Sequence, residues 1–294
     1  MQRGIVLLAV GDEVYGKFAF NLMQTIRHHS PNIHIQAIYE PKTFQTRPHI
    51  LDLADITTEV NKEDINDNNG LFFPAKAKLT WYKYSRFQRT MFLDVDTIMI
   101  KDITPLFEQC EGKGYLIQQK EFNLAQGDDE MANMLWATRS VVWEHFKLPL
   151  RAKFPSSNSS WQYVEKMGEI VLEKALSELL NNQLPINKHR FYWGKGKHQP
   201  DELYLNAAIA QLGKDTRLKE CQEPIYFRPG TEYGTPTILS HIQDKYYAIG
   251  TYGQLNNNHG SVYEMYDLHL HNIASKGEYF KVHHLMKSKL ASTK

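Results

Sequence analysis

The sequence predicts an α/β fold with a mostly parallel central sheet flanked by helices, a helical insertion and a C-terminal extension. Three observations carry this. The first forty residues run strand, helix, strand, the order of parallel strands joined by a crossover helix. The apolar run "TMFLDVDTIMI" reads as a further strand. The stretches "WQYVEKMGEIVLEKALSELL" and "PDELYLNAAIAQLG" carry helical composition and helix boundaries.

Taken in order, "GIVLLAV" (residues 4–10) is short, continuous and bounded by Gly4 and Gly11, as a buried strand would be. Phe18, Leu22, Met23 and Ile26 recur at helical spacing within residues 16–29. "NIHIQAIYE" alternates and reads as the second strand. Asp52 to Asn69 is acidic and polar, a short strand edge followed by a loop. Ala75 to Tyr84 reads as a helix after Pro74. A strand near "GYLIQQ" and a helix near "ATRSVVWEHF" follow the apolar run. "FPSSNSS" reads as a loop whose end, Ser160, caps the next helix. Pro200 and Asp201 start a helix that Gly213 stops. "EPIYFRPG" and "TILSHI" read as short strands. The expected organisation is one α/β domain over 1–250, with a helical insertion about 155–200, and an extension over 251–294 that is not an independent domain.

The bulk numbers narrow the partners. A net charge of +1 over 294 residues gives no global field for nucleic acid or anionic membrane. Cys110 and Cys221, the two cysteines, make neither a disulfide framework nor a thiolate metal site. No apolar run approaches the ~18 residues of a membrane span. The expected location is cytoplasmic, or peripheral at a membrane surface. The basic tail "KVHHLMKSKLASTK" sets Val282, Leu285, Met286 and Leu290 at roughly helical spacing, which suits either a lipid-facing stripe or a disordered terminus.

The chemistry gathers at Asp94 and Asp96. On a strand, residues i and i+2 share a face. At the carboxyl end of a parallel strand, two carboxylates form a hard oxygen site suited to Mn²⁺ or Mg²⁺ and, through it, to a diphosphate. The plainer alternative has one Asp capping a turn while the other pairs with Lys101 or Arg89.

"FLDVDTIMIKDITPLF" resembles the metal-binding strand and following turn of GT-A glycosyltransferases, especially family 8, the glycogenin and galactosyltransferase relatives. The resemblance spans residues 4–245, with 89–107 as its specific part. It implies the GT-A fold, a Rossmann-like nucleotide-diphospho-sugar transferase fold. It also implies Mn²⁺-dependent use of a UDP-sugar, with Asp94, Val95 and Asp96 at the nucleotide. "AVGDEVY" looks like the family's nucleotide-binding start, which implies backbone contacts from Ala9, Val10 and Gly11 and stacking by Tyr15. Within "PAKAKLTWYKYSRFQ" the resemblance assigns Lys78, with Lys76 as runner-up, to the diphosphate. "QPDELYLNAAIAQLG" is similar to the family's Asp-Gln-Asp-x-x-Asn helix start. Asp201 and Asn206 are kept, Glu202 replaces the Gln and Leu203 replaces the second Asp, which implies catalytic roles for Asp201 and Glu202 beside the transferred sugar. A helix N-cap is the alternative for Asp201. "LSHIQDK" places His241 as the third metal ligand, although the family's Gly and Pro-Trp are missing, and His259 is the next candidate. Asn133 in "MANMLWATRS" resembles the sugar-contacting Asn-x-Gly segment without its Gly.

A divalent ion and a lysine would neutralise the charge that builds on the departing diphosphate. The resemblance implies hexosyl transfer with retained anomeric configuration. Inverting relatives place an acidic base on the acceptor, for which Asp128, Asp129 and Glu130 stand as candidates. The acceptor is open: glycan, lipid, protein or modified nucleobase. Two other readings exist. A haloacid-dehalogenase-type phosphatase also ends an apolar strand with Asp-x-Asp-x-Thr, but some ninety residues precede it here. A non-catalytic sugar-nucleotide-binding protein could keep the fold.

Overall fold

A computed structural model describes residues 2–123, 139–149, 153–185, 199–213, 224–226, 239–250, 260–274, 278–282, 284–285 and 287. Its strands are β1 (Arg3–Ala9), β2 (His34–Tyr39), β3 (Ile56–Glu59), β4 (Arg89–Leu93), β5 (Thr97–Met99), β6 (Tyr115–Asn123), β7 (Lys153–Glu165), β8 (Ile225–Tyr226) and β9 (Ala248–Gly250). Its helices are α1 (Glu13–His29), α2 (Lys62–Ile65), α3 (Pro74–Thr80), α4 (Thr104–Cys110), α5 (Arg139–Phe146), α6 (Glu169–Asn181), α7 (Asp201–Leu212), α8 (Leu239–Lys245) and α9 (Gly260–Ile273). The chain divides into two units. One holds Met1–Glu59, Arg86–Glu111 and Glu220–Lys294; the other holds Val60–Ser85 and Gly112–Lys219.

The first unit contains the expected parallel sheet, in the order β3-β2-β1-β4. β1 is the central strand, and its Ile5 faces Ile35 on one side and Met91 on the other. Ile5, Val6 and Leu7 are fully buried, the fate of a continuous apolar run covered on both faces. β2 alternates in sequence yet is buried from Ile35 to Ile38. Its inward Gln36 is satisfied: its amide donates to Thr58 Oγ1 at 2.9 Å and its oxygen accepts from Arg86 N at 3.0 Å. α1 lays Phe18, Leu22, Met23 and Ile26 into the core, as their spacing predicts. A second sheet pairs β5 antiparallel to β9 and β9 parallel to β8.

The C-terminal segment belongs to this core. Phe280 exchanges two hydrogen bonds with Asn21 of α1, at 2.7 and 3.0 Å. Val282 and Leu285 are 0% and 5% exposed. These two residues therefore pack inward and offer no lipid-facing stripe, which corrects that expectation. Met286 and Leu290 lie outside the described residues. No described helix is long and apolar enough to cross a membrane.

The second unit builds α2, α3, α6 and α7 around the antiparallel pair β6–β7. Here "FPSSNSS" is strand and not loop, and Ser160 caps no helix. The β6 ladder runs from Tyr115↔Val164 to Asn123↔Lys153, and α6 begins only at Glu169. Paired backbone outweighs the local preference of serine for turns and caps. The expected helical insertion thus opens as a strand. "TILSHI" differs in the opposite direction: Leu239–Lys245 is helix α8, with Ile242 buried. α7 starts and stops as predicted, with Gly213 closing it at φ 60°, where glycine carries no Cβ penalty.

Candidate active site

The expected strand through Asp94 and Asp96 breaks. β4 ends at Leu93 and β5 joins another sheet from Thr97. Between them Asp94–Thr97 forms a turn closed by Thr97 N donating to Asp94 O at 3.1 Å, with Thr97 Oγ1 donating to the same oxygen at 2.7 Å. The shared-face argument from strand geometry therefore fails. The turn brings both acids to one sheet edge, with Val95 buried between two half-buried carboxylates.

That edge is the carboxyl end of the sheet. Leu7 pairs with Leu93 in parallel register, so the chain leaves β1 at Ala9 and β4 at Asp94 along the same side. The chain passes from β1 through α1 to β2 on one flank, while β4 lies on the other. Asp94–Asp96 and Gly11 thus meet at a point where strand order reverses, the usual ligand crevice of open α/β sheets.

Gly11 sits at φ 97°, a left-handed region that a glycine enters freely. Its N–H donates to Glu40 Oε2 at 3.0 Å and its carbonyl accepts from Thr43 Oγ1 at 2.8 Å. The carbonyl of Ala9 accepts from Glu40 N at 3.1 Å, and Lys42 Nζ lies 3.0 Å from Glu40 Oε1. Ala9 and Val10 are buried, and Tyr15 is half-buried in the first turn of α1. Glu40 and Thr43 escape sequence reasoning, because their partner Gly11 is some thirty residues away.

The far side of the turn is braced by α9. Tyr266 OH donates to Thr97 O at 3.4 Å, and His269 Nε2 lies 3.1 Å from Met99 O. Burial, and then the charge of Asp96, hold the Tyr266 phenol well above its usual range. α8 is tied to the next residues: Gln243 Nε2 donates to Ile100 O at 2.8 Å, and Lys101 Nζ donates to Gln243 O at 2.6 Å. His241 is on α8, two positions before Gln243; its side chain is outside the described residues. Arg89, an alternative partner for the Asp pair, bonds Glu111 at 2.7 Å.

Among the described residues no three His, Cys, Asp or Glu side chains gather as a metal site. Asp94 and Asp96 nonetheless form an all-oxygen, partly exposed donor pair. That chemistry fits a hard divalent ion that keeps positions for water and phosphate.

In the second unit Lys78, Asp201 and Glu202 converge. Lys78 Nζ donates to Ser159 Oγ at 3.1 Å and lies 3.7 Å from Asp201 Oδ2. Ser159 Oγ reaches Glu202 Oε1 at 3.3 Å. Asp201 is only 8% exposed, and its Oδ2 accepts no hydrogen bond from the described residues. Pro200 takes the N-cap position of α7, so Asp201 is a first-turn residue and not the cap. Its charge, after burial, helps push the Tyr115 phenol well above the usual range. Asn206 accepts from Ser157 N at 3.2 Å and Ser157 Oγ at 2.5 Å. Lys76, the runner-up to Lys78, instead ties down α2 and its C-cap through Glu63 O and Asn66 O at 2.5 and 2.9 Å. Ser157 and Ser159 escape sequence reasoning, since a loop reading of the segment hides which serines face inward. Asn133, Asp128, Asp129, Glu130 and His259 lie outside the described residues.

The family described as "Mannosyltransferase putative" matches residues 2–115. No curated protein matches the chain. Solved structures do. The apo bifunctional glycosyltransferase WbbM aligns at 12% identity and a TM-score of 0.57, over 93% of this chain and 50% of its own. The chain thus spans half of WbbM. The galactosyltransferase LgtC, in complex with donor and acceptor sugar analogues, aligns at 11% identity and 0.53, over 93% of this chain and 98% of its own. Apo GlyE, a glycosyltransferase of Streptococcus pneumoniae TIGR4, aligns at 13% and 0.50, over 100% of this chain and 64% of its own. At such identities the likeness speaks to architecture, and with the parallel sheet described above it gives the chain the GT-A glycosyltransferase fold.

Proposed function

We propose that this chain is a divalent-metal-dependent glycosyltransferase that moves a hexosyl group from a UDP-sugar to a hydroxylated acceptor with retention of configuration. The observation that carries this reading is the meeting of Gly11 and the Asp94–Asp96 turn at the carboxyl edge of β1 and β4, where strand order reverses.

Each residue has a stated role. Backbone at Ala9, Val10 and Gly11 receives the nucleotide, with Tyr15 against the base. Asp94 and Asp96 hold Mn²⁺ or Mg²⁺, with Val95 fixing the turn between them and His241 as third ligand. The bound ion supplies charge neutralisation on the diphosphate leaving group. Lys78 adds a positive charge to that diphosphate, and a point charge suits a mobile leaving group. Asp201 and Glu202 serve the transferred sugar, and the buried Oδ2 of Asp201, which accepts no hydrogen bond from the described residues, suits a sugar hydroxyl donor. Asn133 is a further sugar contact by resemblance alone. The acceptor is a glycan, lipid, protein or modified nucleobase.

A panel of nucleoside-diphosphate sugars tests this reading by donor hydrolysis and thermal shift with Mn²⁺. It includes UDP-galactose, because LgtC is a galactosyltransferase, and GDP-mannose, because the matching family is described by mannosyl transfer. One donor should turn over, lose turnover on chelation and regain it with Mn²⁺. Asp94→Ala and Asp96→Ala should each abolish it while melting like wild type. Wild-type hydrolysis of every donor by either variant would end the proposal.

A further inference from the structure

We infer that Ser159 is a positioning residue that sets Lys78 and Glu202 in a fixed ammonium–hydroxyl–carboxylate relay. This rests on the proposed transferase reading for its use, though not for its geometry. The direction of the relay follows from chemistry. An ammonium has no lone pair, so Lys78 Nζ donates and Ser159 Oγ accepts, at 3.1 Å. The one proton of the hydroxyl is then left for Glu202 Oε1, at 3.3 Å. Ser159 is fully buried, so its hydroxyl is turned away from bulk solvent.

A second observation is independent of the contacts. Along the β6–β7 ladder, Ile117 faces Gln162 but the next residue, Gln118, faces Asn158. Ser159, Ser160 and Trp161 fall in the bulge between these pairs. Such bulges re-aim side chains and recur beside active sites. This one is held closed from inside: Ser160 N donates to Asn158 Oδ1 at 2.9 Å, and Gln162 Nε2 donates to Ser159 O at 3.2 Å. Without the bulge, Ser159 would keep the regular alternation of β7 and its ladder partner on β6. With it, the hydroxyl is carried to Lys78 and to the first turn of α7.

The consequence is a division of the Lys78 charge. The ammonium stands 3.1 Å from Ser159 Oγ and 3.7 Å from Asp201 Oδ2, so the serine holds it off a closer pair with Asp201. Asp201 Oδ2 thereby keeps its acceptor capacity for a ligand hydroxyl. Removing the Ser159 hydroxyl lets Lys78 move closer to Asp201 and takes from Glu202 the contact at 3.3 Å.

Two measurements test this. The first is reductive methylation of the apo protein, with the rate at Lys78 mapped by mass spectrometry. In wild type, Lys78 should label at least tenfold more slowly than the exposed Lys62. In Ser159→Ala the Lys78 rate should change several-fold while Lys62 stays constant, and Ser159→Thr should restore it. A Lys78 rate equal to that of Lys62 in wild type, or unaltered in Ser159→Ala, overturns the relay. The wild-type comparison needs no variant and stands even if Ser159→Ala misfolds. The second measurement is steady-state donor hydrolysis. Ser159→Ala should lower kcat by about tenfold with KM moved less than twofold, since a misplaced group is felt in the transition state. A purely structural serine would lower the active fraction and leave the pH profile of kcat in place; the relay predicts that the profile shifts. If wild type turns over no nucleoside-diphosphate sugar, the transferase reading fails while the labelling result still decides the relay.

Discussion

Asp201 shows how one carboxylate trades stability for chemistry. It is buried, its Oδ2 accepts no hydrogen bond from the described residues, and Lys78 Nζ stands 3.7 Å away. A buried, half-satisfied carboxylate is a cost to the fold, and it is kept where a ligand completes it. Asp201→Asn keeps the shape and removes the charge. Turnover should fall by roughly 10²-fold, within the range seen when one polar stabiliser is removed. The melting temperature should hold or rise. A fall in melting temperature with intact turnover would make Asp201 structural. Neighbouring Asn206 is tied in through its oxygen, which accepts from both Ser157 N and Ser157 Oγ. Asn206→Ala strands those two donors in the interior and should cost about 1–3 kcal/mol by urea denaturation. A loss near zero would show that Ser157 finds another acceptor.

At the scale of elements, legibility in the sequence tracked how local the cause was. β1, α1 and α7 were legible because an apolar run, a helical spacing and a glycine stop are written within each segment. β7 was not, because its strand is imposed by β6, and serine-rich sequence favours loop until a partner strand supplies the hydrogen bonds. The break at Asp94 was hidden for another reason: apolar residues continue on both sides, and composition does not reveal that they enter different sheets. The turn that carries Asp94 and Asp96 is likewise absent from the local pattern, which continues as strand. The pairing of α1 with α9 lay beyond reach altogether, since His29 and His269 are 240 positions apart. That contact carries a pH prediction. His29 Nε2 and His269 Nε2 lie 2.9 Å apart, and His269 Nε2 also faces Met99 O, which can only accept, so His269 Nε2 carries the proton, shared between Met99 O and a neutral His29 ring. Burial first, then the neighbouring His269 and His28, lower the His29 pKa from 6.5 to about 4, against the opposing pull of Asp102. Burial also lowers His269. A base whose folded pKa is depressed lends stability that is whole above the unfolded value of 6.5 and is lost as pH falls toward 4. Unfolding free energy should therefore decline through that window, with a slope kept below ~1.4 kcal/mol per pH unit per group by the partial exposure of His29. His29→Gln should flatten the decline, and an identical pH profile in that variant would remove the pair as its cause.

For the molecule as a whole, the last described residues work as core. Phe280 meets Phe20 edge-on at 5.5 Å between ring centres, and the Arg47 guanidinium stands 5.5 Å over its ring. Asn21, fully buried in α1, spends its side-chain amide and carbonyl on the backbone of Phe280. Val282 donates its N–H to Asp267 of α9 at 2.9 Å, and its side chain is completely covered. α9 in turn braces the strand that leaves the Asp94–Asp96 turn, through Tyr266 and His269. A path of direct contacts thus runs from the C-terminal segment through α9 to the candidate metal turn. Deleting residues 278–294 should uncover apolar surface on α1, remove the two bonds of Asn21 to Phe280 and loosen α9. Burial of Val282 and Leu285 alone is worth about 1.5–3 kcal/mol each, so the truncated protein should melt several degrees lower. If α9 stays docked, the Mn²⁺ concentration that supports donor turnover should be unchanged; if it loosens, that concentration should rise, because Thr97 and Met99 then lose the contacts that fix the turn. Equal melting temperatures for the truncated and full chains, by calorimetry, would show that these contacts add nothing to the fold, and with that the path from tail to turn would lose its first link.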